Sequence, residues 1–188
     1  FNSLIIPRPI GWISSIDGDG VVNLAPYSFF NAVSYRPPTV MFAASRGASS
    51  PDDNNKDSQR NIEETGEFVC NLTTWDTREA MNATSAGVTK DVNEFALAGL
   101  TSEPSQTVKP PRVAEAPAHL ECKYLKTVEL PGETPNDVYC VVFGQVVGIN
   151  IKDEYITKDG TLDVGKMRPI ARLGYQDYAV VNSDTTLT

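Results

Sequence analysis

The sequence predicts an α+β chain, mainly β, whose sheet is largely antiparallel and whose helices are few and peripheral. Three observations carry that expectation. Residues 10–16 and 21–24 are strand-like runs joined by Asp17-Gly18-Asp19-Gly20, whose glycines can take φ > 0 and let the chain fold back as a β-hairpin. Apolar or alternating runs recur at 39–44, 67–73, 119–128 and 138–151, the composition of half-buried or buried strands. Gly144 and Gly148 interrupt the last run, as expected where a barrel strand bends or bulges.

In chain order, Pro7 and Pro9 set an extended entry and remove two donors, which suits a sheet edge. Residues 10–16 follow as a strand carrying Trp12, Ser14 and Ser15, the two serines on opposite faces. Ala25-Pro26-Tyr27-Ser28-Phe29-Phe30 then sets small and hydroxyl residues beside three aromatics. A plain surface turn would carry charge there; this segment suits a planar ligand, with Pro26 expected to force a turn between Asn23 and Ser28. Arg36-Pro37-Pro38 breaks the chain before the buried strand at 39–44. Residues 45–55 read as a loop. Asp57 or Ser58 is expected to N-cap a helix that runs to about Thr65 and stops at Gly66. After the strand at 67–73, helical spacing predicts helices over 77–86 and 92–100. The proline-rich stretch 102–117 reads as an exposed connection, of a length that is often functional. No repeat, low-complexity tract or internal boundary is found, so residues 1–188 read as a single domain.

A net charge of −8 and a pI near 4.6 argue against a general polyanion-binding surface, so nucleic acid is not an expected partner. A local cluster of cations and N–H groups can still hold an anionic cofactor. No apolar run approaches the roughly 20 residues that span a bilayer, so no membrane partner is expected. Cys70, Cys122 and Cys140 are widely spaced in apolar segments without a CxxC or Cys/His cluster, which reads as buried free thiols and no metal site. With no secretory segment at the start, the chain reads as cytoplasmic.

Arg8-Pro9-Ile10-Gly11-Trp12-Ile13-Ser14-Ser15, Asn23-Leu24-Ala25-Pro26-Tyr27-Ser28-Phe29-Phe30 and Lys56-Asp57-Ser58 with Asn61-Ile62 resemble the flavin reductase-like proteins of the FMN-binding split-barrel superfamily. Ala118-His119-Leu120-Glu121-Cys122-Lys123 and Arg172-Leu173-Gly174-Tyr175-Gln176-Asp177-Tyr178 fit the same pattern, so the resemblance spans nearly the whole chain. It implies a six-stranded antiparallel Greek-key split β-barrel with peripheral helices, assembled as a homodimer with FMN near the subunit interface. The implied activity is hydride transfer from NAD(P)H to flavin, with electrons passed on to free flavin, a metal complex or a partner protein such as an oxygenase. The rival reading is a non-enzymatic FMN-binding electron carrier or flavin store.

FMN needs a cationic or N–H-rich socket for its phosphate, a flat slot for its ring and donors along its polar edge. Ser45-Arg46 and Lys56-Asp57-Ser58 supply cations, hydroxyls and a helix N-terminus for the phosphate. Asn23, Ala25, Pro26, Tyr27 and Ser28 match the motif that meets the flavin edge in the resembled family. Ser14 or Ser15 can enter the slot, and Trp12 can be either core or wall. No catalytic side chain is expected, because hydride passes directly between nicotinamide and flavin and needs only stacking and distance. His119 is the sole histidine and reads more readily as a structural group than a catalyst. Arg172, Tyr175 and Tyr178 can close over a ligand or pack a dimer.

Overall fold

The structure is a computed structural model that describes residues 1–46, 56–89, 92–133 and 138–185, with the side chains of Arg46 and Thr185 outside that description. The strands are β1 (Arg8–Pro9), β2 (Gly11–Ile16), β3 (Val22–Tyr27), β4 (Phe30–Tyr35), β5 (Pro38–Arg46), β6 (Glu67–Leu72), β7 (Ser102–Glu103), β8 (Arg112–Val113), β9 (Ala118–Pro131), β10 (Val138–Ile151), β11 (Ile170–Arg172) and β12 (Tyr178–Val180). Helices α1 (Asp57–Thr65), α2 (Arg78–Ala83), α3 (Glu94–Leu97) and α4 (Val164–Met167) lie between them. Among the described residues, no helix is long and apolar enough to cross a membrane.

Seven strands form one antiparallel sheet in the order β3-β2-β6-β9-β10-β5-β4. The hairpin β2–β3 pairs Ser14 with Leu24 and Ser15 with Asn23, and Gly20 at φ 90 makes the reversal. The pairings β2–β6 and β5–β10 join strands far apart in sequence, the long returns of a Greek-key barrel. The sheet curls until its two ends meet through side chains. The Tyr27 and Phe42 rings lie 4.7 Å apart, and the Phe30 side chain crosses so close to Gly11 that a β-carbon there would sit 2.5 Å from the ring. The seam between β2–β3 and β4–β5 is therefore packed, with little backbone pairing across it, which is what splits the barrel. Register shifts fall at Phe143/Gly144 and Val146/Gly148, where the glycine interruptions predict bends.

Inside the barrel, Ile13, Phe42, Phe68, Val142 and Ile62 of α1 are fully buried. A second cluster lies on the other face of β2, where Trp12 and Leu24 meet Met81, Phe95, Val113 and Ile170. Strand β2 is thus covered on both faces, which explains why all but its last residue are buried.

Several expectations are corrected. Among the described residues the main sheet has seven strands, not six; the extra one, β4, is exposed after its first residue and so lacks the apolar alternation that marks a strand. Pro26 forces no turn. It lies within β3 opposite Trp12, tolerated because β3 is an edge strand whose outer side needs no ladder donor. Neither Asp57 nor Ser58 caps α1: Lys56 holds the cap position without a side-chain bond, while Gly66 ends the helix at φ 77 as predicted. The next two helices are shorter than expected, α3 being opened by the Asn93 side chain and followed by Gly99 at φ 66.

The stretch 102–117 is not an exposed connection, since Val108, Val113 and Ala116 are buried in it. Proline removes backbone donors, and four of those that remain are met by side chains of the barrel. Gln106 N–H (2.9 Å) and Thr107 N–H (2.6 Å) donate to the Glu121 carboxylate, Lys109 N–H donates to Glu67 (2.7 Å), and Val113 N–H donates to Asn71 Oδ1 (2.8 Å).

Candidate functional site

The hairpin brings Asn23 and Tyr27 onto the first turn of α1. The Asn23 amide lies between the Glu94 carboxylate and the Ser58 hydroxyl. Turned so that its nitrogen donates to Glu94 Oε1 (3.3 Å) and its oxygen accepts from Ser58 Oγ (2.7 Å), it satisfies both neighbours. Leu24 N–H donates to the other Glu94 oxygen (3.2 Å). Burial raises the Glu94 carboxyl, and the Asp57 carboxylate adds to the rise against the opposing N–H of Leu24. Burial also pushes the Tyr27 phenol up to about 12; a Ser58 hydrogen bond opposes this, while Asp57 and Glu94 reinforce it. Tyr27 is therefore a neutral hydroxyl at physiological pH. The result is a polar chain, Glu94–Asn23–Ser58–Tyr27, buried up to the partly exposed tyrosine, under one end of the predicted motif.

Beside this chain, Lys56 holds the N-cap position of α1 and its own side chain makes no cap hydrogen bond to the first-turn N–H groups. Asp57, the acid of that turn, is drawn into an ion pair with Arg60. A helix N-terminus with Lys56 at its cap position beside the first-turn N–H groups has the charge and hydrogen-bonding sense of a phosphate socket. The residues present therefore fit a phosphate-bearing cofactor. Ser45 is exposed near the end of β5; the Arg46 side chain, also expected at the phosphate, lies outside the described residues.

Other predicted residues sit deeper. Trp12 is fully buried, its indole N–H donating to Thr84 Oγ1 (2.9 Å), so its ring belongs to the core cluster. Ser14 donates to the Pro111 carbonyl (2.5 Å), and Ser15 accepts from Asn61 Nδ2 (3.3 Å). Both hydroxyls are fully buried on opposite faces of β2. Ala25 is half-buried on β3. Pro26 and Ser28 face a cavity of about 680 Å³ whose wall also includes Arg8, Asn82, Arg172 and Tyr175. The structure thus divides the predicted site into a polar floor at Asn23, Tyr27 and α1, and a cavity beside Pro26 and Ser28.

His119 lies away from both groups. It is 3% exposed, and its Nε2 meets the Val113 carbonyl at 2.8 Å, which makes Nε2 the protonated nitrogen. Burial lowers its pKa, with Arg112 and Lys152 adding to the effect against the Val113 carbonyl. Glu94 escaped the sequence reading because an acid just after Asn93 reads as an ordinary first-turn helix residue. Arg8 stands in the quoted motif, but nothing in its spacing announces that it meets Arg172.

Residues 3–171 match the family described as the flavin reductase like domain. The chain belongs to that family. A protein of Aquifex aeolicus, described only as uncharacterized, is 41% identical over 176 residues, which span 93% of this chain and 85% of that one. Among solved structures, nitrilotriacetate monooxygenase component B from Bacillus cereus superposes with a TM-score of 0.89 at 32% identity, covering 99% of this chain and 90% of that one. The 2-nitrobenzoate 2-nitroreductase of Pseudomonas fluorescens gives 0.84 at 28% identity, covering 100% and 87%. This flavin reductase-like domain is accordingly a split barrel tied to flavin-linked redox chemistry.

Proposed function

We propose that this flavin reductase-like domain binds FMN at the junction of β3 and α1 and transfers hydride from NAD(P)H to flavin, passing the electrons to free flavin, a metal complex or a partner protein. The observation that carries this reading is the meeting of Asn23, Ser58 and Tyr27 beside the N-terminus of α1, where Lys56 stands at the cap position. Lys56 and the first-turn N–H groups, that of Ser58 among them, hold the phosphate, with Ser45 and Arg46 as further candidates. Asn23 and Ser28 meet the polar edge of the ring, and the Glu94 carboxylate fixes which way the Asn23 amide points. FMN, when bound, supplies a ring nitrogen that accepts hydride, so the protein contributes position and the exclusion of water rather than an acid or nucleophile.

The names of two similar structures support an onward acceptor, one being a component of an oxygenase and the other a reductase of a small nitroaromatic acid. A homodimer is supported by the apolar side chains that β9 and β10 leave exposed, among them Leu125, Leu130, Tyr139 and Ile149. Three buried, unbridged cysteines accord with a reducing, cytoplasmic setting.

Anaerobic mixing of the FMN-loaded protein with NADH and NADPH, followed by flavin absorbance, tests the reading. Bleaching on mixing is the expected result. Bound FMN that stays oxidised with both nucleotides identifies the electron carrier instead, and a protein that takes up no FMN overturns both.

A further inference from the structure

Antiparallel pairing sets Arg8 of β1 directly opposite Arg172 of β11. Like charges facing each other on a ladder repel, and a carboxylate nearby would ordinarily offset them. Among the described residues neither arginine has one. Arg8 donates to the carbonyls of Asn2 (2.5 Å), Ile5 (2.8 Å) and Leu173 (3.2 Å). Arg172 donates to the Tyr178 hydroxyl, the Tyr175 carbonyl and Gln176 Oε1. These neutral acceptors aim both guanidinium groups without cancelling their charge. Arg8 is only 8% exposed, and its buried Nε has no hydrogen-bond partner among the described residues.

Both arginines line the cavity of about 680 Å³ that Pro26 and Ser28 also line, a volume suited to a small organic molecule. At its rim Tyr175 adopts φ 56 with its side chain exposed, a conformation costly for a residue other than glycine. It turns the Tyr175 carbonyl toward Arg172. In a chain of net charge −8, two facing cations without a counter-charge, one of them buried, are explained by an anion that arrives as a ligand.

We propose that this cavity is an anion site, in which Arg8 and Arg172 hold the carboxylate or phosphate of the second reactant while its body lies along Ser28 toward the flavin. The reactant's role rests on the proposed flavin chemistry; the anion site rests on the two arginines.

Calorimetry on the purified protein, with FMN and after FMN is stripped, tests it with two pairs of probes: benzoate against neutral benzamide, and ADP against neutral adenosine. At least one anion should bind about tenfold or more tightly than its neutral counterpart, weaken as salt rises, and lose about tenfold or more in Arg172→Gln. Arg172→Lys, which keeps the charge, should recover part of the loss. Benzoate binding without ADP identifies a small organic acid, and the reverse identifies a dinucleotide phosphate. Anions that bind no better than their neutral counterparts, or equally well to folded Arg172→Gln, overturn the proposal. So does loss of FMN from Arg172→Gln in step with loss of the anion, since the cavity would then be the flavin's own. Anion binding that persists in a protein whose flavin is never reduced removes the catalytic reading and leaves this site standing.

Discussion

Lys56 and His119 are both polar residues in motif-like segments, and their surroundings separate them. Lys56 stands at the N-cap position of α1, where a positive charge adds to the first-turn N–H groups. Lys56→Ala should therefore weaken FMN by about 1.5–3 kcal/mol, the worth of a charge-assisted contact, and barely change riboflavin, which lacks the phosphate. Calorimetry with both ligands decides this, and equal losses would remove the phosphate assignment. His119 instead holds the Val113 carbonyl inside the fold. His119→Ala should leave anaerobic flavin reduction within about tenfold of the wild-type rate while lowering thermal stability, because direct hydride transfer does not call on a general acid. Stopped-flow reduction that slows by two orders of magnitude with FMN still bound would make His119 catalytic.

The proline-rich stretch is the element whose role changes most between sequence and structure. Its anchor is Glu121, fully buried on β9. Burial alone would raise this carboxyl, but donation from Gln106 N–H, the Thr107 hydroxyl and N–H, and the Asn150 amide outweighs it and holds the group below its usual range. A carboxyl depressed in the folded state stabilises the fold fully above the ordinary glutamate value of about 4.3. That contribution is lost as pH falls through the lower native value. Glu121→Gln should cost about 1.5–3 kcal/mol at pH 7. It should also flatten the acid limb, so that urea unfolding at pH 7 and pH 3 differs less for the variant than for the wild type. An unchanged acid limb would show that Glu121 is not the group that fastens this stretch. Strand β4 shows the opposite case: an exposed strand carries no periodic signal, and only its ladder to β5 reveals it.

At the scale of the whole molecule, the barrel seam depends on side chains. Gly11→Ala would drive a methyl group into the Phe30 ring, so it should destabilise the fold by about 1–3 kcal/mol, as overpacking does. Denaturant unfolding measures it, and an unchanged midpoint would mean that the two edges yield freely. If FMN binds between subunits, stripping it should lower the melting temperature and loosen the dimer, since a ligand bound only to the native dimer stabilises it by mass action. Light scattering on both forms checks this; a monomer in each would remove the dimer and the shared site together.

The sequence by itself determined what depends on near neighbours. The Asp17–Gly20 reversal, the stop of α1 at Gly66 and the bends near Gly144 and Gly148 follow from local backbone freedom, and the motif around Asn23 with Lys56 marks the family. Tertiary structure decided what depends on distant groups. Pro26 lies inside a strand because β3 is an edge. Trp12 is core because α2 and α3 cover the face of β2 that it occupies. Asn23 has one orientation because Glu94, 71 positions later in the chain, is brought against it. Arg8 faces Arg172 only through the pairing of β1 with β11. Local spacing constrains dihedral angles; charge balance and burial are sums over everything the fold brings near, and they exist only once the chain has closed on itself.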